Sequence, residues 1–416
     1  MKFKRDGRSL LVYMMSAGCA IMITLFFTYG YENTWHLWDV PAMTPYLMDA
    51  RVITAGAEAH ALGYDPLIDN PGFARMNYPR IWQLLFHLGI NQSDTVYFGL
   101  VFAALFFCGV FLISENIDPP TAFLMTLGVF SPAVLLGLER GNNDLSIFFL
   151  LALAVALIGR FRVSAALVVG FAFLLKLYPV FALAMFLRES KKAFLVLMAS
   201  SIAACGIYAA VMFHELMQIR SATPRPSAGA YGIDVLWTDL TTHHFLHAAP
   251  AIRIASYAVV VVVGVFSFLY ARRGGATSAF DGHIDSFRVG AATYIGTFLI
   301  GGNWDYRLMF LLFVIPQLVC WTQLARKSIK HVAVATLSCV MISLWSKLAA
   351  GPHGHSPHIS FLFGQFSEWL VFFGLIFLFI CSLPSWLKWQ LPSSEGDAHD
   401  PQLIWMSSPA DPQAKP

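Results

Sequence analysis

One lysine interrupts the stretch "GFAFLLKLYPVFALAMFL" at residues 170–187: Lys176, with no other charge between Arg162 and Arg188. A cation among lipid tails costs roughly 2.5 kcal/mol or more on insertion scales, and ionisable groups at such positions are functional by default. Lys176 therefore needs an anion. The chain offers Asp144 or Glu139 in "LERGNNDLSIF" (138–148), and a lipid phosphate is the other candidate. Asp49 and Asp39 lie in the long loop after the first apolar run, and Asp305 and Arg307 in "GGNWDYRLMF" (301–310). His243, His244 and His247 in "TTHHFLHAAP" and His353, His355 and His358 in "GPHGHSPHIS" have zinc-ligand chemistry. No cysteine or acidic pair accompanies them, so a phosphate or sugar contact is the better expectation and no metal is assigned.

The elements that position these groups are apolar spans. Of 416 residues, 57% are hydrophobic and 12% charged, with a mean hydropathy of +0.63. Soluble domains carry about 25% charge, so the chain reads as an all-α polytopic membrane protein. A net charge of +3 gives no reason to expect nucleic acid. The six cysteines fall inside apolar runs, with no disulfide framework. The basic, then apolar, N-terminus lacks a small-residue cleavage site and reads as an uncleaved first span. Runs near 9–29, 94–113, 193–213, 251–271, 330–349 and 360–383 reach the ~20 residues a crossing needs. Shorter ones at 121–138, 145–158, 163–175, 177–187, 287–301 and 307–323 bring the expected count to about twelve. With the N-terminus cytoplasmic, 17 of the 27 lysines and arginines fall inside, as the positive-inside rule requires. That count holds only if residues 163–187 form a hairpin of two short helices. Lys176 and Pro179 then sit at its tip, below the outer surface, where broken backbone needs protein or a wet cavity around it.

On this topology every unusual polar cluster faces outward. In "MTPYLMDARVITAGAEAHALGYDP", Thr44 is expected to cap a helix starting at Pro45 and ending at Gly63. Asp49, Ile53, Gly56 and His60 share one of its faces. A second short helix runs from Pro79 to Gly89. Both read as juxtamembrane helices that hold Asp49 within reach of a lipid headgroup. Residues 1–383 are expected to form one transmembrane domain with its first outer loop at 30–93. Residues 384–416, rich in Pro, Ser and Asp, read as a mostly disordered cytoplasmic tail anchored by Trp386 and Trp389.

Asp49-Ala-Arg-Val, "GYDP" fourteen residues after Asp49, "NYP" at 77–79, "ERGNND" and "LKLYP" at 175–179 form an ordered set. In this set the chain resembles the GT-C class of polyprenyl-phosphate-sugar glycosyltransferases, in particular bacterial polyprenol-phosphate-mannose-dependent α-mannosyltransferases. The second half resembles them by topology and by "NWDYRLMFLLFVIPQL" (303–318). "RGNND" departs from the Gly-Gln pair followed by Asn expected at that place. The resemblance implies transfer of a hexose, mannose in these relatives, from a polyprenyl-phosphate donor to a glycolipid or glycan hydroxyl outside the inner membrane. It implies inversion, no cofactor, and an outer-loop aspartate as general base; the matching position is Asp49, with Asp39 the alternative. Direct displacement needs one base within ~3 Å of the attacking hydroxyl, and cations to stabilise the departing phosphate. For donor phosphate or sugar the expected residues are Lys176, Arg140, Arg307, Asn142, Asp144, Tyr178, His244 and His353. Each has a structural alternative: Asp49 or Asp39 pairing with Arg51, Asp305 pairing with Arg307, or "GNND" serving as a tight turn. No eukaryotic sorting signal is legible, which favours a bacterial inner membrane. The rival class is a transporter or flippase of a lipid-linked or charged solute, since broken helices and an intramembrane lysine suit it too.

Overall fold

A computed structural model describes residues 6–224, 229–242, 248–272, 282–324, 326–350 and 357–387. The protein is all-α. Among the described residues the strands are two-residue segments, Ala230–Tyr231 and Asn303–Trp304, paired antiparallel. Six helices are long and apolar enough to cross a bilayer: Gly7–Tyr29, Gln92–Ile113, Lys191–Val211, Ala249–Tyr270, Lys327–Leu348 and Phe361–Cys381. Two bent pairs raise the number to eight. Pro119–Val129 turns by 51° into Pro132–Arg140, and Asp305–Phe313 by 53° into Ile315–Thr322. Proline explains both breaks: Pro132 and Pro316 each stand in the first turn of the second helix, where a missing N–H is tolerated. The other segments in the expected count of twelve are short: Asp144–Ile158, Arg162–Leu175, Tyr178–Arg188 and Ile284–Ile300.

The long helices are largely peripheral; Lys191–Val211 has no buried residue. The core is built from the short ones, Ile284–Ile300, Asp144–Ile158 and the bent Asp305–Thr322 pair. Between lipid-solvated helices there is little hydrophobic drive, so close backbone approach does the packing. At Gly296 an added Cβ would come within 2.3 Å of the Phe181 ring, so the hairpin's second leg seats directly on the backbone of Ile284–Ile300.

Residues 162–188 form the expected hairpin. Arg162–Leu175 is α-helical and Tyr178–Arg188 is a 3₁₀-helix. Fourteen residues at ~1.5 Å and eleven at ~2.0 Å both reach about 21–22 Å, so the tighter winding equalises legs of unequal residue number. Arg162 meets Glu189 at 3.3 Å across the open end. Around that end gather Arg188 on Asp285, Arg288 on the Ser382 carbonyl, and the Trp386 indole N–H on the Glu189 carbonyl. Lys176 and Leu177 make the closed end. There the Trp82 indole donates to the Leu175 carbonyl at 3.2 Å, covering broken backbone with protein.

The two helices expected in the first loop are present with corrected bounds, after a short helix Tyr31–His36. The first of the two starts at Met48, not Pro45, and Thr44 does not cap it. The Thr44–Pro45 peptide is cis, and Leu47, in left-handed conformation, precedes the first turn. It runs to Ala61, with Gly63 just beyond at φ +89°. The second, Arg80–Leu88, is a 3₁₀-helix ending at left-handed Gly89. Asp65 of "GYDP" binds Arg80 at 2.6 Å, so one ion pair joins that motif to the residue that follows "NYP". Buried Glu215 accepts from the Arg80 backbone N–H at 2.9 Å and ties the loop to the helix Phe213–Ala222.

Candidate active site

Four elements meet at the closed end of the hairpin. The helix Pro132–Arg140 ends at Gly141, left-handed at φ +55°. A Cβ there would lie 3.1 Å from that of Ala50 and 3.3 Å from Leu47. Glycine thus lets the "GNND" turn press against the first-loop helix. Beyond it Asn142, Asn143 and Asp144 each take a different partner.

Asn142 Nδ2 donates to Asp49 Oδ2 at 2.5 Å, and Asn142 Oδ1 accepts from the Asp144 backbone N–H at 2.8 Å. Asn143 Oδ1 accepts from Lys176 Nζ at 2.8 Å. Asp144, fully buried, opens the helix Asp144–Ile158, where the dipole favours an anion. It stands 2.6 Å from Lys176 Nζ and 3.0 Å from Arg307 Nε, and it accepts from the Tyr178 hydroxyl at 2.8 Å. The protein's own carboxylate is therefore a counter-ion of Lys176. One carboxylate between two cations leaves an excess positive charge, with the Lys176 and Arg307 side chains 13% and 19% exposed. Arg307 also donates to Asn303 Oδ1, and its guanidinium lies 5.0 Å from the Tyr178 ring centre. Lys176 Nζ lies 5.4 Å from the ring centre of Tyr78 in "NYP" and 6.0 Å from that of Tyr178.

Asp49 sits in the first turn of its helix, partly exposed. Burial raises its carboxyl above the usual carboxylate range, opposed by the Asn142 hydrogen bond and the charges of Arg140 and Lys176. That is the direction a base needs for work nearer neutral pH.

Asp49, Asn142, Asp144, Lys176, Tyr178 and Arg307 come together. Arg140 lies near by charge but pairs with Glu139 at 3.2 Å. Buried Glu139 also accepts from the Met43 backbone N–H at 2.7 Å, pinning the first loop to the turn. Asp39 does not join: it is left-handed at φ +53° and is influenced by Lys347 and His36 rather than the Asp144 cluster. Two of the structural alternatives are not formed. Arg51 bonds Gln92 rather than an aspartate, and Asp305 pairs with Lys347 at 3.5 Å while Arg307 takes Asp144. His244 and His353 lie outside the described residues. Among the described residues no three His, Cys, Asp or Glu side chains are grouped to hold a metal.

Asn143, Asn303, Tyr78 and Trp82 were not legible as site residues. The nearest signal is the polar density of "ERGNND" inside apolar sequence, which marks the turn without saying which side chain faces which partner.

Residues 84–284, just under half the chain, match the model of glycosyltransferase family 87. No curated protein and no solved structure matches the chain. The matched segment contains the "GNND" turn, Asp144 and the Lys176 hairpin, while Asp49 precedes it and Arg307 follows it. With several apolar helices long enough to span a bilayer and the family 87 match across its hairpin, the chain is a multi-pass membrane glycosyltransferase, consistent with the GT-C type.

Proposed function

We propose that the centre between Asp49 and Asp144 moves a hexose, mannose by the resemblance, from a polyprenyl-phosphate donor to a hydroxyl of a glycolipid or glycan. The site faces outward from a bacterial inner membrane. Asp49 takes the acceptor proton as that oxygen attacks the anomeric carbon, and the bond to the phosphate breaks with inversion. Lys176 and Arg307 meet the charge that develops on the departing phosphate, which is where fixed cations accelerate a displacement most. Tyr178, with Asp144, holds that cation pair in place.

The observation that carries this reading is a base and a surplus cation joined by one three-residue turn. Asn142 touches Asp49, while Asn143 and Asp144 touch Lys176. Transfer by direct displacement asks for both groups on opposite sides of one reacting carbon.

The test uses the full chain in nanodiscs with radiolabelled polyprenyl-phosphate-mannose and a membrane-lipid acceptor extract, read for product, donor binding and slow donor hydrolysis. Wild type is expected to form product, Asp49→Asn to bind donor without turnover, and Lys176→Ala to bind donor weakly. Transfer by Asp49→Asn near the wild-type rate refutes the assigned base. Absence of both binding and hydrolysis in wild type refutes the donor.

A further inference from the structure

We infer that Asn142 is the positioning residue of Asp49: it fixes which carboxylate oxygen receives the acceptor's proton and ties the base to the turn that carries the cation pair. The inference rests on Asp49 as the base.

Hydrogen-bond polarity orients the Asn142 amide. The backbone N–H of Asp144 only donates, so the side-chain atom facing it at 2.8 Å is the carbonyl oxygen. The NH₂ group is then left for Asp49, whose ionised carboxylate only accepts. Turning the amide over would set N–H against N–H on one side and oxygen against oxygen on the other. Two independent partners therefore hold one orientation.

The bond engages Oδ2 of Asp49, and no hydrogen bond from a described residue reaches Oδ1. In the transfer step the acceptor O–H bond breaks and an Oδ1–H bond forms. The acceptor oxygen bonds the anomeric carbon, and the bond from that carbon to the phosphate oxygen breaks with its electron pair. Oδ2 keeps its amide throughout. Asn142 thereby serves the base rather than the donor phosphate, unlike the role expected from sequence.

The charged and titratable groups that influence Asp49 are Arg140 and Glu139 from the preceding helix, Lys176 from the hairpin, and Asp144 beyond the turn. Tyr78 from the first loop and Tyr306 beside Arg307 complete the set. Deleting Asn142 leaves the charged groups in place and removes its contact to the ionised carboxylate, together with its contact to the Tyr306 hydroxyl.

The experiment is an infrared pH titration of the full chain in nanodiscs, with the Asp49 carboxylic-acid band identified by its loss in Asp49→Asn. Single-turnover transfer is followed on the same samples. In Asn142→Ala the titration midpoint should move up by about one pH unit, the size expected for one hydrogen bond to a charged group. The transfer rate near neutral pH should fall about ten- to a hundredfold, with affinity for unlabelled polyprenyl phosphate within threefold of wild type. An unmoved midpoint, or a loss confined to polyprenyl-phosphate affinity, overturns the inference. If the alanine variant does not fold, Asn142→Ser is read by the same criteria, since its shorter side chain cannot span both partners. Normal transfer by Asp49→Asn would instead overturn the base assignment, a failure separable from an unmoved midpoint.

Discussion

Replacing Asp144 with asparagine keeps the shape of the side chain and removes the charge that Lys176 and Arg307 share. The carboxylate accepts from Lys176, Tyr178 and Arg307 at 2.6, 2.8 and 3.0 Å and is wholly buried. Asparagine leaves one oxygen to accept and turns an NH₂ group toward a cation that also only donates. Breaking a buried pair from one side costs about 3–5 kcal/mol, because a charge is left unmatched. Lys176→Met is milder: Asp144 retains Arg307 and Tyr178, and the losses are the Lys176 contacts to Asp144 and to Asn143, about 1.5–3 kcal/mol for the charged one. Combining the two removes one of the stranded cations, so the double variant should be more stable than Asp144→Asn alone, with a coupling of about 0.5–3 kcal/mol. Thermal unfolding by tryptophan fluorescence at fixed lipid composition should rank wild type first, then Lys176→Met, the double variant, and Asp144→Asn last. If Asp144→Asn melts at or above Lys176→Met, or the two losses simply add, Asp144 is not the shared counter-ion.

Other consequences are accessible to standard assays. Because burial raises the Asp49 carboxyl, transfer should fall on acidification at a pH above the ordinary carboxylate range, which a pH–rate profile measures. The same group binds its proton more tightly folded than unfolded, so lowering pH through that window stabilises the protein relative to Asp49→Asn, opposite in sense to the activity. Gly296→Ala should lower the melting temperature by overpacking against Phe181, at about 1–3 kcal/mol, with Phe181→Leu in the same chain restoring part of it. Arg162→Ala should change stability by no more than about 0.5 kcal/mol, because the arginine side chain is 57% exposed; a large drop in melting temperature would contradict this.

The hairpin was legible because two sequence constraints agree: basic residues flank 162–188, and a single crossing there would send three later basic clusters outward. Its second leg's 3₁₀ winding was not, since "YPVFALAMFL" satisfies either helix by composition. The first-loop helix was placed within three residues at its start. Thr-Pro satisfies the pattern of a cap and first turn, whereas Leu47 supplies the last residue before the helix. Within the site, Lys176, Asp144, Asn142 and Arg307 stand out as polar residues in apolar company. What they bond to depends on the approach of Gly141 to Ala50 and on which face of the Asp305–Phe313 helix points inward. The Asp305–Arg307 alternative is not realised for that reason: the two neighbours in sequence turn to Lys347 and Asp144 respectively.

The two equalised legs, bridged at their base by Arg162 and Glu189, act as a ruler for depth. If the open end of the hairpin, rich in basic residues, sits at one bilayer surface, a 21–22 Å leg stops roughly 8–9 Å short of the far side of a ~30 Å hydrocarbon slab. For the lipid-linked donor proposed above, the headgroup must then descend to the cation or the leaflet thin above it, which would make bilayer thickness a determinant of how well the two meet. Adding one residue to the 3₁₀ leg would shift the tip by about 2 Å and turn it by a third of a revolution. Such an insertion would swing Lys176 away from Asp144 as well as deeper or shallower. Length and orientation of this segment are thus locked to a single count of residues.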